Sequence, residues 1–442
     1  VATAKEAQRL HLPAVQPSFS GVINRYAKDS TPPNSTRPQA PESAPNVVLF
    51  MSDDVGFAMS STFGGPVPTP NLDRLANKGV SYNRVHTTGV CSPSRAALLT
   101  GRNHHNAGTG VISDMPSGYP GYNGRIPDST ATIADVLTLN GYNTAMFGKH
   151  HNIPPPEHTQ AGPFDQWPTG LGFEYFYGFP SGETDQWHPV LYKGTDRIFP
   201  TMEKDETLDS HLVSNAIHWI HNQQLAAPDK PFFIYLSPGS AHAPHQAPAQ
   251  YIDQFKGAFD SGWDDIRSKI YKRQLAMNVI PDSAKLTARP KEIPSWDSLS
   301  DLQKRYAAKT MEVAAGMLAY QDAQFGRLLD EIERIGAADN TLVIAIAGDN
   351  GASGEGGPVA GLFNSFSMPN GIMSNDQVLK DTIADLGTER GTSNYPAGWA
   401  WAMNTPFRWT KQYASFLGGI RNGMVMSWLN RDTHSTGRQV CS

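Results

Sequence analysis

The chain has 442 residues, of which 39% are hydrophobic and 17% charged, and its formal net charge is -5. That length buries a large core, and the acidic balance excludes the basic surface that nucleic-acid binding requires. No apolar run approaches the roughly eighteen residues of a membrane span, so a soluble protein built mainly as one large domain is expected.

The chain opens on Val1 without a signal-peptide core, which reads as a processed or partial chain. Residues 1–45, rich in proline, serine and threonine, read as an extended arm in which Phe19–Ile23 is a candidate docking piece. Residues 46–442 read as the catalytic domain. Its first buried strand is Val47–Met51, followed by Ser52-Asp53-Asp54-Val55-Gly56 and a helix near Asn71–Lys78.

The stretch Gly89-Val90-Cys91-Ser92-Pro93-Ser94-Arg95-Ala96-Ala97-Leu98-Leu99-Thr100-Gly101-Arg102 carries a helix start and stop. Ser92 suits an N-cap, Pro93 the first helical position and Gly101 the end, so Cys91 is expected just before the helix. Backbone N–H groups and the helix dipole favour an anion there. Cys91 and Cys441 are the two cysteines of the chain and make no disulfide framework.

A helix near Thr130–Asn140 precedes the strand Thr144–Phe147, which runs into Gly148-Lys149-His150-His151. Extended backbone would place Lys149 and His151 on one face and His150, a structural histidine, on the other. A helix over Ser210–Gln223 leads to the strand Phe232–Leu236 and then to His242 and His245 within Ser240–Pro248. The polar, aromatic and proline-containing segment 251–300 is expected as a cap near the site.

From Leu302 to Ile335, Val313, Met317, Tyr320, Phe325, Leu328 and Ile332 stand close to helical spacing and predict a long helix packed on the core. The strand Leu342–Ala347 follows, then Gly348-Asp349-Asn350-Gly351 and a glycine-rich segment to Gly371 expected to be mobile. Strands alternating with helices predict a mainly parallel α/β sheet. Asp53, Asp54, Asp349 and Asn350 all follow predicted strands, so they can converge at the edge where such sheets bind ligands. An oxygen-only set selects a hard divalent cation, Ca²⁺ in preference to Mg²⁺, over zinc.

The cysteine block resembles the Cys-x-Pro-Ser-Arg-x-x-x-Leu-Thr-Gly motif of type I sulfatases. Ala44–Val48, Thr184–Trp187 and Gln246–Pro248 resemble the bacterial arylsulfatase branch most. The resemblance implies an alkaline-phosphatase-like fold and hydrolysis of sulfate esters, aryl sulfates above all. It implies that Cys91 is oxidised to formylglycine by a maturation enzyme, and that Asp53, Asp54, Asp349 and Asn350 hold the cation. Lys149 and Arg95 then supply positive charge, and His151 takes a proton from the formylglycine hydrate. His242, with His245 as a substitute, and Lys411 in Asn404–Lys411 assist the leaving oxygen.

The family motif before Gly418-Gly419 ordinarily has an acidic residue or glutamine where this chain has Leu417. The family's small C-terminal subdomain is expected to be truncated, because the chain stops eight residues after His434. Trp187, His188, Tyr192 and Lys193 are candidates for an aromatic-accepting pocket. The resemblance leaves two alternatives, a formylglycine-dependent phosphonate monoester hydrolase or phosphodiesterase, and an inactive binding protein. A bacterial cytoplasmic or periplasmic location is expected.

Overall fold

The computed structural model describes residues 19–32, 38–359, 361–362, 375–428 and 439–441. It divides into two compact units, residues 1–39 and 40–442. In the first, a bridge between Val22 and Thr31 closes a short loop that carries a turn of 3₁₀ helix, Ala27–Asp29.

In the second, the strands are β1 (Asn46–Met51), β2 (Val80–His86), β3 (Asn143–Lys149), β4 (Tyr175–Phe179), β5 (Leu191–Lys193) and β6 (Asp196–Ile198). They continue with β7 (Phe232–Ser237), β8 (Thr341–Ile346), β9 (Gly361–Leu362), β10 (Ser393–Asn394), β11 (Arg421–Trp428) and β12 (Gln439–Cys441). Ten of them form one sheet in the order β12-β2-β11-β8-β1-β7-β3-β4-β5-β6, and β9 pairs with β10. The centre, β8-β1-β7-β3-β4, is parallel, with Val47 opposite both Leu342 and Phe233. β11 lies antiparallel between β8 and β2, and β5 and β6 add antiparallel pairs at the other side.

The central strands are apolar and buried because helices cover both faces. Helices α1 (Pro70–Lys78), α2 (Cys91–Thr100), α3 (Ile133–Leu139), α4 (Leu208–Ala226), α5 (Ala249–Ile252), α6 (Gly262–Ala276) and α7 (Asp301–Arg334) are the first seven in chain order. The long helix α7 starts at a capping box, Ser300 with Gln303, and packs against α1, α4 and α5. Phe325 of α7 stacks on Phe50 of β1 with ring centroids 4.1 Å apart. On the opposite face Leu49, Met51, Leu99, Met146, Trp167, Phe173 and Tyr235 make a smaller core.

Two local expectations change. α2 begins at Cys91 itself, with Val90 in extended backbone as its cap residue, so Ser92 is not an N-cap. Its hydroxyl turns outward from the helix and accepts the Ser113 N–H at 2.9 Å, which gives it a tertiary rather than a capping bond. β3 ends at Lys149, and His151 has φ +56°, so the extended alternation does not reach His151.

The segment 251–300 is built into the core. Trp263 and Trp296 pack edge to face at 4.9 Å, and both meet Trp399 of the helix Ala397–Met403. Buried Arg267 donates to the carbonyls of Trp401, Pro406 and Phe407, and so holds the chain that leads to Lys411. Of the glycine-rich segment, Gly351–Ser353 is buried, while 360 and 363–371 lie outside the described residues, as does Arg431–His434. Among the described residues no helix is long and apolar enough to cross a membrane.

Candidate active site

The parallel order β8-β1-β7-β3 brings four strand ends to one edge, and the polar residues just beyond them meet there. Asp53 and Asp54 follow β1, Asp349 and Asn350 follow β8, Lys149 closes β3 and His242 follows β7. Gly148 permits the close passage at β3: it has φ +104°, and a Cβ there would lie 2.0 Å from the Ser237 carbonyl oxygen.

Asp53 extends β1 beyond its last paired residue. Its N–H donates to the Ser240 carbonyl at 2.9 Å, and its carbonyl accepts from Ala241 at 2.8 Å. Asp54 takes a left-handed φ of +57°, a conformation aspartate tolerates, and its N–H donates to Asp349 Oδ1 at 3.2 Å. Asn350 Nδ2 donates to Asp54 Oδ1 at 2.7 Å, which leaves Asn350 Oδ1 buried without a hydrogen-bond donor. Asp53 Oδ1 is likewise buried and without one.

Positive charge surrounds these carboxylates. Lys149 Nζ donates to Asp53 Oδ2 at 2.6 Å, and Lys411 Nζ donates to Asp54 Oδ2 at 3.0 Å. Arg95 Nε donates to Asp349 Oδ2 at 2.9 Å, while its Nη1 reaches the Lys149 carbonyl and Ser237 Oγ. The guanidinium thus braces three strand ends, those of β8, β3 and β7. Cys91 is fully buried, with Sγ within 4.8 Å of carboxylate oxygens of Asp53 and Asp349.

Burial opposes charge on every one of these groups, and their pairing decides which charges persist. For Asp54, Lys411, His242, Lys149 and the Asn350 hydrogen bond overcome burial and hold the carboxyl well below its usual range. Asp349 is also lowered, by Arg95 and Lys149 against burial. Asp53 goes the other way: burial and repulsion from Asp349 push it up to about 7 in spite of Lys149 and Arg95. A dication beside it would reverse that balance. Burial pushes the Cys91 thiol up to about 12, so the unmodified side chain is a neutral thiol.

The histidines separate clearly. His242 Nδ1 lies 2.7 Å from the Ala243 carbonyl, so it carries the proton, and Nε2 faces Lys411 Nζ at 3.4 Å and Asp54 at 3.6 Å. His245 instead contacts the Ala241 carbonyl at 3.1 Å, packs at a tilt against Tyr395 and is pushed down to about 4 by burial; it is structural. His150 is structural too, bonded to the Gln166 carbonyl at 2.9 Å and driven to about 3 by burial. His151 meets Asp114 at 2.5 Å.

Lys411 arrives on a loop tied down at two successive residues: its own N–H donates to the Ala352 carbonyl at 3.0 Å, and Gln412 N–H donates to the Gly89 carbonyl at 2.7 Å. Gly351 lets that loop approach, because a Cβ there would lie 1.8 Å from the Gly418 carbonyl oxygen.

Several residues of the site escaped the sequence reading. Glu355 accepts from Lys411 at 3.2 Å and could share a metal ligand set with Asp54 and His242. Its nearness to Asn350 in one strand-end loop was the available signal. Glu183 lies 3.9 Å from His242, and Asp114 sits on a long loop with no motif to mark it. The aromatic group does not gather: Tyr192 is a core ring against Trp167, Lys193 is exposed, and exposed His188 pairs with Glu389 at 3.3 Å.

The orphaned oxygens of Asp53 and Asn350, together with Asp54 and Asp349, fit one hard divalent cation by donor chemistry. The sulfatase family model matches residues 45–439. An arylsulfatase of Klebsiella aerogenes is 30% identical over 397 residues, which cover 88% of this chain and 82% of that protein. An uncharacterized sulfatase of Schizosaccharomyces pombe is 31% identical, over 87% of this chain and 70% of its own length. In three dimensions the chain is similar to Ps i-CgsB, crystallised with k-i-k-neocarrahexaose, at a TM-score of 0.57 and 20% identity, covering 90% of this chain and 68% of that one. The motif, the sheet-edge constellation and a match across nearly the whole length agree: the chain belongs to the sulfatase family, whose members hydrolyse sulfate esters.

Proposed function

We propose that this sulfatase acts on aryl sulfates, with formylglycine made from Cys91 and one Ca²⁺ or Mg²⁺ held by Asp53, Asp54, Asp349 and Asn350. The observation that carries the reading is the burial of Cys91 against Asp53 and Asp349, with Lys149 and Lys411 salt-bridged to the neighbouring carboxylates. A neutral buried thiol is a poor nucleophile, which argues for a modified side chain at this position. The aryl preference rests on the name of the Klebsiella aerogenes relative; an N-acetylglucosamine-6-O-sulfatase of Bacteroides thetaiotaomicron is also related, at 26% identity.

When bound, the cation would polarise sulfate oxygens, and the oxidised residue 91 would supply hydroxyl groups in place of the thiol. Lys149, fixed by Asp53, holds its charge beside residue 91 and offsets negative charge on a sulfuryl oxygen. Lys411 carries protons and His242 presents a lone pair at Nε2, so the two together can deliver a proton to the leaving oxygen and be reloaded. Asp54 and Glu355 keep Lys411 charged and aimed. His151 receives a proton from residue 91 as the enzyme returns to its resting state.

A peptide mass spectrum across Cys91, taken with turnover of one phenol's sulfate, phosphate and phosphonate esters, tests the reading. The expected result is an aldehyde at residue 91 and the highest kcat/KM for the sulfate. Full activity with an unmodified thiol overturns the nucleophile, and faster cleavage of the phosphonate overturns the substrate class.

A further inference from the structure

We propose that Asp114 is the positioning residue that fixes the tautomer of His151, keeping a proton on Nε2 and making Nδ1 the basic nitrogen. The inference rests on the reading of His151 as the base that takes a proton from residue 91.

The geometry is built from three segments. Asp114 Oδ2 lies 2.5 Å from His151 Nε2, and the imidazole is nearly inaccessible, with 3% of its side chain exposed. The neighbouring Ser113 locks the Asp114 loop in place: its N–H donates to Ser92 Oγ at 2.9 Å and its hydroxyl to the His151 carbonyl at 2.9 Å. Asn152 closes the triangle by donating to the Ser92 carbonyl at 2.9 Å. The first turn of α2, through Ser92 next to Cys91, therefore sets where Asp114 stands relative to the imidazole.

A carboxylate has only lone pairs to offer, so the nitrogen facing Asp114 must be the donor. Asp114 is ionised in this setting, lowered to about 2 chiefly by its hydrogen bond to His151 against the effect of burial. The other nitrogen, Nδ1, is buried and has no hydrogen-bond partner among the described residues. A buried lone pair without a protein donor is what a proton acceptor needs. The groups acting on the imidazole are Lys149 and Arg95, which disfavour its charge together with burial, the neighbouring His150 and His158, and Asp114, which favours it most. In the proton transfer the O–H bond at residue 91 breaks, the proton joins Nδ1, the electron pair stays on oxygen, and Asp114 balances the imidazolium.

The mature enzyme tests this with Asp114→Ala, Asp114→Asn and Asp114→Glu, assayed on an aryl sulfate across pH. Nitrogen-15 histidine spectra of the unsubstituted enzyme should show His151 protonated at Nε2, the signal being identified by its loss in His151→Gln. Asp114→Ala should lower kcat about 10- to 100-fold with little change in KM. It should also shift the acidic limb of kcat to lower pH, because the charge that stabilises protonated His151 is gone; Asp114→Glu should restore part of both. A His151 protonated at Nδ1, or Asp114→Ala and Asp114→Asn with unchanged kcat and limb, overturns the inference. If His151→Gln itself retains full turnover, the reading of His151 as the base has failed; if His151→Gln is impaired and the Asp114 variants are not, only the role of Asp114 has failed.

Discussion

Asp209, in the first turn of α4, is buried with 2% of its surface exposed, and its nearest polar partner is Ser240, two residues before His242. Its Oδ2 accepts the Ser240 hydroxyl, while Oδ1 is buried without a hydrogen-bond donor. Burial pushes this carboxyl from the usual 3.8 up to about 7, with the Ser240 bond only partly opposing. The folded state therefore holds a proton that the unfolded chain has already released, and stability falls as pH rises from about 4 to about 7. At about 1.4 kcal/mol per tenfold, the whole shift is worth about 4 kcal/mol, of which about 3 kcal/mol lies between pH 5 and pH 7.

Asp209→Asn keeps the shape and removes the ionisation, so the variant should gain about 3 kcal/mol on the parent between pH 5 and pH 8. For a chain of this size that corresponds to a relative rise of about 3 °C in melting temperature. Circular-dichroism melts of both proteins at the two pH values, taken at one scan rate, measure it. The difference between the proteins is the diagnostic quantity, since other groups titrate equally in both. A difference that is the same at pH 5 and pH 8 would refute the argument that Asp209 is protonated in the folded state.

Replacing Asp349 by Ala removes one oxygen ligand and leaves Arg95 buried without its closest carboxylate; elemental analysis should show loss of the bound cation together with activity, and a variant retaining full metal content would contradict the ligand assignment. His242→Ala should reduce kcat/KM increasingly as the leaving phenol becomes less acidic, and a loss independent of the leaving group would refute its place beside Lys411. Arg267→Met removes the arginine donor from the buried Trp401 carbonyl and the part-buried Phe407 carbonyl, while the Pro406 carbonyl keeps the Thr287 hydroxyl, and should lower stability by about 2 kcal/mol or more, read as a fall in the urea midpoint; an unchanged midpoint would show that these carbonyls find other donors.

The central strands were legible because they are short apolar runs that end in turn-forming polar residues, and β1, β3, β7 and β8 each lie within about two residues of the predicted bounds. β2, with the sequence VSYNRVH, was not legible: it lies towards the edge and is only partly buried, so its composition is mixed. β11 joins antiparallel with a register shift between Asn422 and Met424, a choice made by tertiary contact and not by local pattern. The convergence at the sheet edge was readable where residues close or follow strands in fixed order, as with Asp53, Asp54, Lys149, Asp349 and Asn350. It was unreadable where a lone acid is delivered by a loop, as with Asp114 and Glu183. The cap expected at 251–300 drew on polarity and proline content, but Trp263 and Trp296 had a stronger demand for burial, and Arg267 found carbonyls to satisfy it.

The complete burial of Cys91 also fixes a timetable. Once α2 has seated against the sheet, the sulfur is enclosed by groups drawn from β1, β3, β8 and the Lys411 loop, segments spread over most of the chain, so nothing as large as a protein can touch it. On the chemistry proposed above, oxidation has to be finished while the segment around residue 91 is still an unpacked peptide. Folding and modification then compete for each new molecule, and a chain that folds first is sealed as a thiol. The active fraction of a preparation would record the outcome of that race, and slowing the folding of the chain would raise it without altering a single residue of the site.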